Sequence, residues 1–156
     1  MPALTEAVKR TTILVRDMQK SLAFYRDILG WDVFYEGDVD SEGVAQLMGM
    51  PCTGVKMMVL NAHGSQFGNV GLMEVKDAAP PMENIPAPKR IRYGEVALVI
   101  STQNILDLHN KIAKAGYTVI NAPAKIGVPG RPMAVLEMFV RDPDGVLVNL
   151  TQRIAV

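Results

Sequence analysis

Two stretches of the chain repeat one pattern of apolar and polar positions. Residues 11–16 are apolar and β-branched, which predicts a strand, and Asp17 comes next as a helix cap. Met18, Leu22, Tyr25 and Leu29 then recur at helical spacing and stop at Gly30. The plan recurs from Glu95. Residues 96–100 read as a strand, Ser101 or Thr102 as the cap, and Ile105, Leu108, Ile112 and Ala115 as one helix face ending at Gly116.

The segments after the two helices are also similar. Trp31, Val33 and Tyr35 alternate as in a half-buried strand, and Asp40 or Ser41 caps a short helix over residues 44–48. Residues 55–61 and 70–75 read as strands on either side of a glycine-containing hairpin loop. In the second half residues 117–120, 134–141 and 146–152 read as strands. Asp142-Pro143-Asp144-Gly145 makes a type I turn between the last two, and residues 122–132 form a long irregular loop. Each half is therefore β-α-β-β-β, an α+β chain of two modules, at about 8–77 and 94–153. The linker, about 78–93, carries Pro80, Pro81, Pro86 and Pro88, which deny it ladder hydrogen bonds. A four-stranded module cannot cover its own sheet, so two of them are expected to close around a shared cleft or partial barrel.

Composition narrows the classes. Sixteen basic and sixteen acidic residues cancel, so no broad field favours nucleic acid or an anionic membrane, and the cluster Lys89, Arg90, Arg92 is too short to change that. Cys52 is the sole cysteine, which excludes an intrachain disulfide and a Cys-rich zinc site and fits a reducing, cytoplasmic setting. Residues 1–10 lack an apolar signal core and no apolar run reaches membrane-spanning length, so a soluble intracellular protein is expected. No Ser, Thr or Cys has the context of a nucleophile. Ten methionines point to an adaptable apolar interior.

The stretch VRDMQKSLAFYRDILGW and the hairpin FVRDPDGVLVNL resemble the vicinal oxygen chelate superfamily, which includes glyoxalase I, bleomycin resistance proteins and extradiol dioxygenases. The resemblance spans roughly residues 8–153. It implies paired βαβββ modules, a small-molecule ligand, a homodimer and, in most members, one divalent metal held by His, Glu or Gln. One such ligand starts the first strand of each half, and one lies on each half's last strand. Carried over, those positions are Arg10, Glu95, Glu74 and Asn149. Arg10 has no lone pair to offer a metal, and Asn149 offers only a neutral oxygen where Glu is commonest. No bound metal or other cofactor is therefore expected. A divalent ion on Glu74, Glu95 and Asn149 is the alternative.

Two glutamates facing each other repel, and a guanidinium between them restores balance. Arg10 is accordingly expected to bridge Glu74 and Glu95. With Glu95 as base, Glu74 as its partner and Arg10 stabilising an oxyanion, the cluster suits a metal-independent isomerase or lyase acting on a carbonyl compound. A ligand-sequestering protein, like those conferring bleomycin resistance, is a second reading. A metal-dependent lyase or dioxygenase is a third. Asn149, Arg131, Tyr35 and Met57 are candidate ligand contacts, with Trp31 and Phe34 as apolar wall. Glu137 falls on the strand face of Val135 and Phe139, with solvent as its default setting, and His63 and His109 read as ordinary surface or packing residues.

Overall fold

A computed structural model describes residues 5, 7–79, 81, 83, 86–127, 129–130 and 132–155. The chain divides into two compact units, Met1–Asn84 and Ile85–Val156.

The first unit holds β1 (Thr11–Leu14), α1 (Met18–Leu22), β2 (Asp32–Val39), α2 (Glu42–Met48), β3 (Gly54–Asn61) and β4 (Val70–Lys76). Its mixed sheet runs β1-β4-β3-β2, with β1 parallel to β4 and the other pairs antiparallel. The second unit holds β5 (Ala97–Ser101), α3 (Ile105–Lys114), β6 (Ala124–Gly127), β7 (Met133–Arg141) and β8 (Leu147–Ala155). Its sheet runs β5-β8-β7-β6 with the same directions. The α+β architecture expected from the repeat is present, and neither four-stranded sheet is closed on itself.

In each unit the helix covers one sheet face. Asp17 Oδ1 accepts from the backbone N–H groups of Gln19 and Lys20 at 3.0 and 3.1 Å, which starts α1. Met18 and Leu22 of α1 are buried, as are Ile13, Val70 and Leu72 beneath the helix. Each such side chain contributes about 1.5–3 kcal/mol of burial. The helix continues as a π-helical segment, Ala23–Ile28, in which Leu29 N donates to Phe24 O five residues back. The span from Asp17 to Gly30 is one residue longer than that from Asn104 to Gly116, and the wide turn absorbs the surplus. Gly30 and Gly116 end the helical segments at φ of 77° and 82°, where a side chain would be strained.

Three expectations need correction. Asn104, rather than Ser101 or Thr102, caps α3, its Oδ1 accepting from Asp107 N at 3.1 Å. Residues 117–120 contribute only a bridge, Val119 to Val140, while the edge strand β6 lies inside the stretch expected as loop. The cause is Asn121. Its carboxamide accepts from Phe139 N at 2.9 Å and donates to Ala122 O, taking ladder positions that a backbone would otherwise fill. Ala115 is exposed rather than part of the buried face of α3.

Candidate functional site

The two units correspond hydrogen bond by hydrogen bond. Met18 N, the first of α1, donates to Glu74 Oε2 at 2.9 Å; Ile105 N, the first of α3, donates to Gln152 Oε1 at 2.8 Å. Val15 N donates to Met73 O, and Thr102 N to Thr151 O. Glu74 therefore corresponds to Gln152, and the counterpart of Asn149 is Gly71. The parallel registers agree, since Thr12 lies beside Gly71 as Val99 lies beside Asn149. By the same register Arg10 corresponds to Ala97, not to Glu95.

This sorts the sequence-predicted residues by sheet face. Side chains alternate along a strand, so Glu74 shares the helix-covered face with Leu72, while Gly71 and Met73 face the other way. Arg10 lies on that opposite face. Its Nε donates to Thr12 Oγ1 at 3.1 Å and sits 3.4 Å from where a β-carbon on Gly71 would be. Arg10 and Glu74 are thus on opposite faces of one sheet, and the expected bridge between them does not form. The carboxylate of Glu74 caps a helix instead.

Glu95 is also engaged within its own unit. Arg141 Nη1 lies 2.9 Å from Glu95 Oε1, and Arg141 Nη2 donates to Oε2 at 3.0 Å. Arg92 N donates to Glu95 Oε2 at 2.8 Å. The Arg141 hydrogen bonds, together with that of the Arg92 backbone, bring the Glu95 carboxyl down from 4.5 to about 2. A carboxylate so acidic is a poor general base near neutral pH, which removes the reason for assigning that role to Glu95. The counterion expected in Arg10 is Arg141, a buried residue of the turn hairpin that was not among the predicted site residues. Its guanidinium also donates to Pro88 O, Arg90 O and Gly145 O. In the sequence it is only the charged last residue of an apolar strand, MAVLEMFVR.

The face of the first sheet opposite its helix carries a groove of about 460 Å³. Its apolar wall is Phe34, Tyr35, Met57 and Val59, and its polar end is Lys9, Arg10 and Asn69. Tyr35 and Met57, expected as ligand contacts, belong to it. A β-bulge between Val33 and Tyr35 turns Phe34 and Tyr35 outward together, leaving them 56% and 48% exposed. The phenol of Tyr35 lies across Gly37, whose missing side chain leaves the space.

The second unit's matching face differs. Asn149 is buried, with Nδ2 donating to Met138 O at 3.4 Å. Glu137, assigned to solvent by default, is half-buried there, and Thr151 Oγ1 donates to its Oε1 at 3.5 Å. Arg131 lies outside the described residues. His63 is exposed and 3.8 Å from Asp32.

The four corresponding places are Arg10, Gly71, Ala97 and Asn149. In the first unit these are a cation and a residue without a side chain, and in the second a methyl group and a neutral carboxamide. Among the described residues no three His, Cys, Asp or Glu side chains group closely enough to hold a metal ion.

Paired mixed sheets of this kind, each with one helix-covered face, define a class, and residues 7–150 match the model of the Glyoxalase/Bleomycin resistance protein/Dioxygenase superfamily. The chain belongs to that superfamily. Among curated proteins it is similar to the mitochondrial methylmalonyl-CoA epimerase of Mus musculus, 27% identical over 145 residues, covering 93% of this chain and 72% of the epimerase. Among solved structures, a glyoxalase family protein from Bacillus cereus matches at 14% identity and TM-score 0.77, covering 99% of this chain and 100% of that one. Glyoxalase I of Leishmania major matches at 18% identity and TM-score 0.62, covering 95% and 87%. A fosfomycin resistance protein from Listeria monocytogenes, determined with Mn(II), matches at 16% identity and TM-score 0.56, covering 94% and 92%. These structural matches bear on the fold alone. No helix among the described residues is long and apolar enough to cross a membrane.

Proposed function

We propose that the protein binds a small organic molecule in the groove on its first sheet and does so without a divalent metal ion. The observation that carries this reading is that Arg10 and Gly71, at the first unit's places for metal ligands, offer no donor to a cation, while Arg10 lines a groove large enough for a small ligand. Elemental analysis of the purified protein tests the metal half. Less than about 0.1 equivalent of any divalent ion is expected, and near-stoichiometric metal would restore a metal-dependent lyase or dioxygenase. Screening small aromatic and carbonyl compounds by ligand-observed NMR tests the binding half, with Tyr35→Ala and Met57→Ala as variants that should weaken any hit. A homodimer, implied by membership of the superfamily, is read in the same preparation by analytical ultracentrifugation.

A second reading is favoured by the similarity to an epimerase. Proton transfer at a carbon next to a carbonyl needs a carboxylate that is free to accept a proton. Glu137 is the better candidate than Glu95, because its partner is a hydroxyl rather than a guanidinium. Methylmalonyl-CoA incubated with the protein in D2O should then exchange its α-hydrogen, and Glu137→Gln should abolish exchange while leaving folding, read by circular dichroism, intact. Binding without exchange or other turnover supports a sequestering protein instead.

A further inference from the structure

We infer that the ligand taken by this groove is an organic anion, a carboxylate or phosphate ester with an apolar or aromatic body, held directly by the Arg10 guanidinium. The inference rests on the groove as the binding site and names its ligand class.

Four observations converge on it. Lys9 and Arg10 bring two positive side chains to one end of the groove, and among the described residues no acidic side chain lines it. Arg10 has no carboxylate partner among the described residues; its contact is the hydroxyl of Thr12, made through Nε. That contact fixes the plane of the guanidinium and leaves both terminal nitrogens for a bidentate acceptor. Gly71 beneath it gives the side chain room to lie along the sheet, and a β-carbon there would stand 3.1 Å from Thr12 Oγ1 and 3.4 Å from Arg10 Nε.

The fourth observation is Asn69. It lines the same end of the groove, and its Oδ1 is buried with no hydrogen-bond partner among the described residues. An unpaired acceptor of this kind is destabilising and is relieved by any donor that reaches it. The amide oxygen would repel an anion, so Asn69 serves such a ligand only by rotating its carboxamide to present the amide N–H to the group bound on Arg10. The aromatic and thioether wall of Phe34, Tyr35 and Met57 takes the ligand's apolar body.

The test uses the full chain and three probes of one shape: phenylacetate, phenylacetamide and phenyl phosphate. Affinities are read by isothermal titration and by chemical-shift changes at Tyr35 and Met57. The anions should bind at least about tenfold more tightly than the amide, and the ratio of phenylacetate to phenyl phosphate distinguishes the two sources of negative charge. Arg10→Met should remove the preference for charge, Arg10→Lys should restore part of it, and added EDTA should change nothing. Equal affinity for amide and anion, or a preference that survives Arg10→Met, overturns the anion assignment while leaving the groove as a site. Failure of all three probes to shift Tyr35 and Met57 overturns the groove as the binding site. Circular dichroism of each variant separates lost binding from lost folding.

Discussion

Gly71 and Asn149 occupy equivalent places on the parallel strand pair of their sheets, and one residue's absence of a side chain matters as much as the other's presence. Asn149 turns its carboxamide back onto its own sheet, to Met138 O. Gly71 leaves the corresponding space to Arg10. Its φ is not left-handed, so its use is clearance rather than backbone freedom. Gly71→Ala should therefore fold normally, with a stability change within about 1 kcal/mol because alanine lowers the entropy of the unfolded chain. Arg10 and Thr12 must give way by a few tenths of an ångström. The expected result is a several-fold loss of affinity for an anionic ligand at an almost unchanged melting temperature. A loss of both would mean that Gly71 serves the sheet rather than the ligand.

At the scale of the element, the two helix starts pose the same problem and meet it with different chemistry. The first N–H of α1 and of α3 has no intrahelical acceptor, and in each case a side chain from the last strand of its unit provides one. Glu74 does this as a carboxylate and Gln152 as an amide. Glu74→Gln should thus be tolerated, whereas Glu74→Ala should lower stability by about 1 kcal/mol, as loss of a helix cap does, measured by urea denaturation. If Glu74→Gln proves as damaging as Glu74→Ala, the charge matters beyond the cap. This pair also shows what was legible in the sequence. Helical periodicity, the glycine stops and the Asp142–Gly145 turn identified the elements of both units, because those signals are local. The register of one unit on the other was not legible. A shift in the assumed correspondence exchanged Gly71 for Glu74 and moved a carboxylate to the wrong face. Arg141 was missed for another reason: its partners lie some fifty residues earlier, and no local pattern marks them.

For the molecule as a whole, Arg141 fastens the segment that opens the second unit. The segment holds Pro86 and Pro88 and has few ladder hydrogen bonds, so the carbonyls of Pro88 and Arg90 depend on the guanidinium. Arg141→Met should cost about 3 kcal/mol or more, the scale of charge-assisted hydrogen bonds lost in a buried setting, read as a fall in the denaturation midpoint. The same anchor sets an acid limit. Glu95 has its carboxyl lowered from 4.5 to about 2 in the folded protein. Above about pH 4.5 the carboxylate is ionised in both folded and unfolded chains, and its stabilisation is fully present. As pH falls from 4.5 toward about 2, the unfolded chain takes up the proton first, and that stabilisation is progressively lost. Glu95→Gln removes the titration. Its deficit relative to the wild type should stay constant between about pH 7 and pH 5 and narrow steadily below that, since the wild type alone loses the ionised pair. Parallel stability curves for the two proteins down to about pH 2 would show that the pair contributes nothing beyond neutral hydrogen bonds. An NMR titration of the Glu95 side-chain carboxyl in the wild type gives the same answer where Glu95→Gln does not fold.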